Sequence, residues 1–194
     1  ETLRDAAGLL AQGITTIVAN PDGGGPVDLA DQRRTLEANG VGVNVALLIG
    51  HGSVRGAVMG GARRVPTPDE QTKMAALAQA AVDAGAFGLS SGLFYEPGRN
   101  AELEEVIALA KVVGGVYTSH IRDEGNYTTG LVASVREVIR VAEEARVRGI
   151  VTHVKALGPD SWGQSATVIA DINAARARGV EVWADQYPYE ASST

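Results

Sequence analysis

The 194-residue sequence contains no cysteine. Disulfides, thiolate nucleophiles and cysteine-ligated zinc are therefore excluded within this chain. Basic residues are not in excess either, because 17 Lys and Arg stand against 23 Asp and Glu, for a formal net charge of −6. This balance argues against nucleic acid as a partner. Any metal ion must be held by histidine, carboxylate or backbone oxygen.

Long hydrophobic runs are also missing. No apolar run approaches the roughly 18 to 20 residues of a membrane span, and the N-terminus lacks a charged start followed by an apolar core. We therefore expect no membrane partner and a cytoplasmic location. The chain begins with Glu1 rather than Met, and residues 1–13 have the pattern of a helix already in progress. We expect a fragment of a longer protein.

The composition is that of one globular domain, with 45% hydrophobic and 21% charged residues. Six short runs rich in β-branched and apolar residues predict six strands, at 14–20, 41–50, 86–92, 116–120, 150–156 and 180–186. Segments with the 3.6-residue apolar period of helices separate them. Crossovers of this length favour a parallel sheet over hairpins.

Six such units fit either an open doubly wound sheet or most of a (β/α)₈ barrel. There is no G-x-G-x-x-G after the first predicted strand, and "NPDGGGP" lacks the lysine and hydroxyl residue of a P-loop. These absences disfavour a nucleotide-binding sheet.

Helix boundaries are marked by capping residues. Thr67, Pro68 and Glu70 predict an N-cap, a first-turn proline and a capping-box glutamate. Four glycines are predicted to close helices: Gly85, Gly114, Gly149 and Gly179.

Polar residues follow several predicted strands, where a parallel barrel has its active site. His120 and His153 are both predicted at strand ends. Other polar residues at the same level are Asn20, Asp22, Ser90, Ser91, Asp185, Gln186 and Tyr187. Imidazole is a common ligand of zinc and similar ions. From the residues alone, a metal site and two imidazoles that merely pack at strand ends both stay open.

Three further residues are candidates near this site. Lys155, two residues after His153, is predicted on the same face, where it would bind a carboxylate or stay solvated. Tyr95 lies in a predicted loop, 94–98, above the third strand. His51 is predicted in a turn, where its imidazole caps a neighbouring loop. Residues 184–194 are predicted to form a loop that lines a pocket.

Several stretches together resemble the N-acyl-D-amino-acid deacylases (D-aminoacylases) of the amidohydrolase superfamily. They are "GLSSGLFYEPG", "YTSHIRDEG", "THVKALG", "WG" at 162–163 and "ADQYPYEASST". The resemblance implies an α/β fold, a partial (β/α)₈ TIM barrel of the metal-dependent hydrolase type with about six parallel βα units. Residues 1–194 would be the central part of one catalytic barrel domain. The first and last barrel strands and a small β-sandwich domain would lie outside the chain.

The resemblance also implies the chemistry. In such enzymes zinc, as one or two divalent ions, activates water for attack on an amide carbonyl, and an aspartate of the last strand moves the proton. The two strand-end histidines of the family match His120 and His153. Lys155, Tyr187 and Ser193 match positions that contact the substrate carboxylate and carbonyl oxygen, which implies catalytic roles for Tyr187 and Lys155. Tyr95 matches a substrate-binding tyrosine above the site.

The sequence departs from the family pattern in three places. The His-x-His pair of the first barrel strand would precede Glu1, and the general-base aspartate would follow Thr194. We therefore expect little or no activity from the chain alone. Where many members carry a metal-ligating cysteine, this chain has "ANPDGGG" at 19–25, and Asp22 is the nearest replacement ligand.

The leading hypothesis is deacylation of a small N-acyl-D-amino acid to a D-amino acid and a carboxylate. The alternatives are an amidohydrolase acting on a different or cyclic amide, a catalytically inactive binding protein on the same barrel, and an isomerase or lyase that uses Lys155 in a Schiff base. An incomplete barrel would leave strand edges open, so we expect the fragment to self-associate.

Overall fold

The computed structural model describes residues 5–189 and 191, and its centre is a parallel sheet. The strands are β1 (Thr16–Ala19), β2 (Asn44–Gly50), β3 (Gly88–Gly92), β4 (Val116–His120), β5 (Arg148–Val151) and β6 (Val182–Ala184). Each strand pairs in parallel with the next along the chain. A doubly wound sheet reverses its strand order at a switch point, whereas this sheet does not. The predicted partial TIM barrel is confirmed.

Seven helices lie in the described part of the chain. They are α1 (Ala7–Leu10), α2 (Leu29–Asn39), α3 (His51–Met59), α4 (Pro68–Asp83), α5 (Leu103–Val113), α6 (Leu131–Ala145) and α7 (Ser165–Ala177). Short 3₁₀ turns occupy Gly98–Asn100 and Pro159–Ser161. None of the described helices is long and apolar enough to cross a membrane.

The helix α3 corrects the prediction of a turn at His51. Two glycines, Gly52 and Gly56, lower the intrinsic helix propensity of this segment. Burial of His51, Val54 and Arg55 against the neighbouring elements overrides that local preference.

The capping residues confirm the predicted start of α4. The hydroxyl of Thr67 accepts from the Glu70 amide at 3.3 Å, and the Glu70 carboxylate accepts from the Thr67 amide at 2.8 Å. Hydrogen bonds from Arg64, and then from the backbone at Thr67, lower the pKa of Glu70 to about 2.

Three of the four glycines predicted to close helices do so, since Gly85, Gly114 and Gly179 each follow a helix end. The prediction for Gly149 is wrong. The helix α6 ends at Ala145 with Arg146 in the left-handed region, and Gly149 lies inside β5. A Cβ at Gly149 would lie 2.9 Å from the Cβ of Ala142, so glycine here permits close packing of α6 on the sheet.

The core lies between the sheet and the helices. Every residue of β3 is buried, as expected for an inner strand of a parallel sheet. The apolar face of α5 packs over β3, and that of α6 packs over β4 and β5, through fully buried side chains such as Val106, Leu109 and Val135. Each of these contributes roughly 1.5–3 kcal/mol through removal from water. This packing holds the carboxyl ends of the strands in place.

The strand prediction at 150–156 is wrong in its bounds. Strand β5 covers Arg148–Val151, so His153 lies two residues beyond its end, with φ at 41°. The carboxylate of Asp185 accepts the His153 amide at 2.6 Å and holds this turn. His120, in contrast, is the last residue of β4, as predicted.

Candidate active site

A pocket opens at the carboxyl end of the sheet. Its walls come from the segments that follow β1, β3, β4, β5 and β6. The lining residues are Asp22, Phe94, Tyr95, His120, Glu124, Tyr127, His153, Lys155, Leu157 and Tyr187. The shared edge of parallel strands thus brings together residues that are distant in sequence.

Asp22, His120 and His153 form a group that could hold a metal ion. One ligand atom from each lies within 4.8 Å of the others. The distance from His153 Nε2 to Asp22 Oδ1 is 3.8 Å, and the two imidazoles meet edge to face with centroids 4.5 Å apart.

Two buried atoms of this group have no hydrogen-bond partner among the described residues. They are Oδ1 of Asp22 and Nδ1 of His120. A buried polar atom without a partner is costly, and a bound cation would remove that cost. Two imidazole nitrogens and one carboxylate oxygen are ligands that zinc accepts. The donor set therefore fits a divalent metal ion.

The segment 20–25 places Asp22 at the pocket through backbone contacts with β3. Asn20 and Asp22 both adopt left-handed conformations, with φ at 63° and 58°. A Cβ at Gly23 would lie 2.6 Å from the amide nitrogen of Gly92. A Cβ at Gly92 would lie 2.1 Å from the Asp22 carbonyl. The glycines here allow the backbone of 20–25 to lie close to that of β3. This packing explains the glycine-rich segment, so no phosphate ligand is needed to account for it.

The two serines of β3 stabilise the scaffold and do not line the pocket. Ser90 Oγ donates to the Asn20 carbonyl at 2.7 Å and accepts from the Gly23 amide at 3.1 Å. Ser91 Oγ lies 2.7 Å from the Tyr117 hydroxyl inside the sheet. The prediction places these serines at the right level along the strand, but their side chains do not face the pocket.

The imidazole of His120 is packed among aromatic rings. It is 6% exposed, and its centroid lies 4.6 Å from the Tyr95 ring and 5.9 Å from the Phe94 ring. Burial is the main cause that lowers the pKa of His120, which favours the neutral form that binds metal. Burial, and then the charges of Asp22 and Glu124, raise the pKa of Tyr95. Tyr95 therefore stays a phenol that can donate a hydrogen bond.

Glu124 is a pocket residue that sequence reasoning missed. Its Oε1 lies 2.9 Å from His153 Nδ1 and also contacts Lys155 Nζ. The hydrogen bond to the Glu124 carboxylate raises the pKa of His153. Burial would raise the pKa of Glu124, but hydrogen bonds from His153 and Lys155 outweigh it and lower the pKa. Nδ1 of His153 thus faces Glu124, while Nε2 faces Asp22.

A carboxylate in this position can orient a histidine that binds a metal ion. The signal available in the sequence was a carboxylate four residues after His120 in "HIRDEG". Its acidic character was visible, but its contact with the more distant His153 was not.

The loop that carries Glu124 is organised by Asp123. This carboxylate is fully buried and accepts the backbone amides of Gly125, Tyr127, Thr128 and Gly130. Burial opposes ionisation, yet these hydrogen bonds together lower the pKa of Asp123. An ionised aspartate thus holds the loop that places Glu124 and Tyr127 at the pocket.

The structure brings most of the predicted site residues together. Tyr95, Lys155 and Tyr187 line the pocket, and Lys155 Nζ lies 5.6 Å from the centre of the Tyr187 ring. Ser193 lies outside the described residues. His51 is fully buried beside Glu105. The roles expected for the lining residues stay predictions.

Comparison with known proteins identifies related enzymes. No model of a known protein family matches the chain. It is 41% identical to an N-acyl-D-glutamate deacylase of Alcaligenes xylosoxydans over 170 residues, which cover 86% of this chain and 34% of the relative. It is 35% identical to a D-aminoacylase of the same organism, over 98% of this chain and 44% of the relative.

A solved structure has the same fold. It is the crystal structure of N-acyl-D-glutamate deacylase from Bordetella bronchiseptica with zinc and a phosphonate inhibitor, a mimic of the reaction tetrahedral intermediate. The TM-score is 0.89 at 35% identity, and the match covers 96% of this chain and 44% of that protein. The chain thus spans less than half the length of the relatives it matches.

Proposed function

We propose that the whole protein hydrolyses the amide bond of N-acyl-D-amino acids. This proposal proceeds from the present chain, which belongs to the N-acyl-D-amino-acid deacylase family of amidohydrolases. The products are a D-amino acid and a carboxylate. The observation that carries the proposal is the convergence of Asp22, His120 and His153, with two buried ligand atoms that lack partners. The described chain would be the central part of the catalytic barrel.

Asp22, His120 and Nε2 of His153 would hold a divalent ion such as zinc. When bound, the metal supplies Lewis-acid activation of the amide carbonyl and of the attacking water. Oε1 of Glu124, 2.9 Å from Nδ1 of His153, would hold the imidazole with Nε2 toward Asp22. Asp22 contributes an oxygen ligand in a chain that has no thiolate to offer.

The pocket offers groups for both ends of the substrate. Lys155 would attract the substrate carboxylate, and the Tyr187 ring, with its centre 5.6 Å from Lys155 Nζ, would contact the same part of the substrate. Tyr95, which stays a phenol, would donate a hydrogen bond to the carbonyl oxygen as negative charge develops there. Its ring packs on His120, so this donor lies beside the metal ligands.

The decisive test measures metal content and hydrolysis on the whole protein. Wild type is compared with His120→Ala, His153→Ala and a control, Gln79→Ala, on the exposed face of α4. We expect near-stoichiometric zinc or a similar ion, and hydrolysis of N-acetyl-D-amino acids but not their L-enantiomers. Either histidine variant should lose both metal and activity, while the control keeps both.

Two results would contradict the proposal. A wild-type protein that binds metal but hydrolyses no N-acyl-D-amino acid would favour the inactive binding protein or a different amide. D-selective hydrolysis that survives loss of either histidine would remove the metal site from the mechanism.

The Schiff-base alternative receives less support. Lys155 Nζ contacts the Glu124 carboxylate and lies 2.9 Å from His153 Nδ1, an arrangement suited to an electrostatic role. Borohydride reduction in the presence of a carbonyl substrate would trap a covalent adduct on Lys155 if that alternative held.

A further inference from the structure

A second cluster of ionisable side chains lies behind the pocket, and the proposed chemistry does not use it. It consists of His51 and Arg55 from α3 and Glu105 from the first turn of α5. Their exposed fractions are 0%, 0% and 4%. His51 Nε2 lies 2.8 Å from one Glu105 oxygen, and Arg55 contacts the other.

The cluster joins three segments of the chain. Arg55 also donates to the carbonyl of Arg64 at 2.6 Å and to that of Ala62 at 3.3 Å. The helices α3 and α5 and the connection before α4 are thereby tied at one point. Buried charges contribute little to stability on balance, because their desolvation offsets their attraction. A role in defining geometry accounts better for a cluster of this kind in the core.

The first turn of α3 holds the segment that carries Asp22. The amide of Ser53 donates to the Gly23 carbonyl at 3.0 Å, and its hydroxyl donates to the Gly25 carbonyl at 2.6 Å. A Cβ at Gly52 would lie 2.9 Å from the same Gly23 carbonyl. The position of Asp22 therefore depends on where this turn of α3 lies.

The same turn supports the loop that carries Tyr95. A Cβ at Gly98 would lie 3.6 Å from His51 Nδ1. A Cβ at Gly52 or at Gly56 would lie 3.8 or 3.9 Å from the ring of Pro97. Within the described part of the chain, His51 Nδ1 is buried beneath this loop without a hydrogen-bond partner. One face of α3 thus contacts both loops that meet at His120.

We propose that His51, Arg55 and Glu105 are positioning residues, which fix the first turn of α3 and through it set the distance of Asp22 and Tyr95 from His120. None of the three touches the pocket. The link to metal binding rests on the proposed function, whereas the link to loop geometry does not.

The test uses the whole protein with Glu105→Gln, His51→Gln and Arg55→Lys. Each variant keeps the approximate size of the side chain and alters the pairing. Val141→Ala is the control for a general loss of stability, because Val141 is fully buried near the C-terminal end of α6, a helix that carries none of the three cluster residues. All variants are first required to melt cooperatively.

Two quantities are then measured. Amide hydrogen exchange at Ser53 and across 93–101 reports on the two loops without any metal. Zinc affinity, by competition with a chelator, reports on the ligands. We expect faster exchange in both regions and zinc binding about tenfold weaker for Glu105→Gln and His51→Gln, with Arg55→Lys closer to wild type. Val141→Ala should not increase exchange specifically in these two regions and should not weaken zinc binding.

The outcomes separate the two proposals. If the cluster variants show exchange in these regions no faster than Val141→Ala does, the positioning role is overturned. If exchange rises locally but wild type binds no zinc, the positioning role holds and the proposed function fails. If zinc affinity is unchanged despite faster exchange, the cluster does not set the position of Asp22, and this part of the inference is wrong.

Discussion

The imidazole Nδ1 of His153 lies 2.9 Å from Oε1 of Glu124, although the two residues belong to different loops. Glu124 follows β4 and His153 follows β5. The contact places Nδ1 of His153 beside Glu124 and leaves Nε2 facing Asp22. It links His153, which the family resemblance suggests as a metal ligand, to Glu124, which the sequence patterns did not single out.

Glu124→Gln is expected to weaken metal binding by roughly 10- to 100-fold, because the charged partner of His153 is lost. The measurement is a metal dissociation constant from chelator competition on the whole protein. Glu143→Gln is the control, since Glu143 is an exposed carboxylate on α6 that pairs with Arg178 at 3.5 Å on the surface. Equal affinity of Glu124→Gln and wild type would mean that Glu124 does not orient His153.

Gly92→Ala is expected to disturb the site through the backbone. Its Cβ would lie 2.1 Å from the Asp22 carbonyl and 3.1 Å from the Tyr95 ring. Overpacking of this kind costs about 1–3 kcal/mol in the free energy of unfolding and should also reduce metal affinity. Gly61→Ala is the control, because nothing lies within 4 Å of its added Cβ. Urea unfolding and metal titration check both effects, and a fully tolerated Gly92→Ala would contradict the packing described.

Asp123→Asn is expected to lower the free energy of unfolding at pH 7 by roughly 1.5–3 kcal/mol, since a buried carboxylate that accepts several amides is replaced. The folded pKa of Asp123 is lowered, so its contribution is complete above the unfolded pKa of about 3.9. It is lost as the pH falls through the lower, folded pKa.

The stability difference between wild type and Asp123→Asn should therefore shrink as the pH is lowered from about 5. Urea unfolding at several pH values measures this stability difference. Asp83→Asn is the control, because Asp83 is exposed. A difference that grew toward low pH would have the wrong sign for this assignment.

The 194-residue chain alone is expected to self-associate. In the described part of the chain, β1 and β6 are the edge strands of the sheet, and Val18 on β1 is 50% exposed. Unpaired edges with apolar side chains favour intermolecular pairing. Light scattering should show oligomers that Val18→Lys reduces, with Thr35→Lys on α2 as a comparison. A monodisperse monomer with cooperative melting would contradict this expectation.

Much of the fold was accessible from local sequence patterns. The apolar period of α5 and α6, the cap at Thr67 and the run 116–120 each predicted an element that the structure contains. The failures have local causes. The glycines of 51–59 masked α3, whose formation depends on burial. Gly149 resembled a helix stop but serves close packing in β5.

Some candidate site residues could likewise be placed from local sequence patterns, whereas others depend on tertiary contacts. The strand-end position of His120 was predictable, because it follows directly from the pattern of "VYTSH". The turn that redirects His153 was not, because it depends on the Asp185 carboxylate. The cytoplasmic location and the role of Ser193 stay predictions.

The sequence by itself determined the alternation of strands and helices, the absence of thiolate chemistry and the supply of imidazole and carboxylate groups at strand ends. These depend on residue type and short-range periodicity. Only the tertiary structure decided that Asp22 approaches Nε2 of His153, that Glu124 contacts Nδ1 of the same imidazole, and that His51 pairs with Glu105 in the core. Such pairings join residues far apart in the chain, and they exist because parallel strands bring their carboxyl ends to one edge and backbone contacts set the distances there.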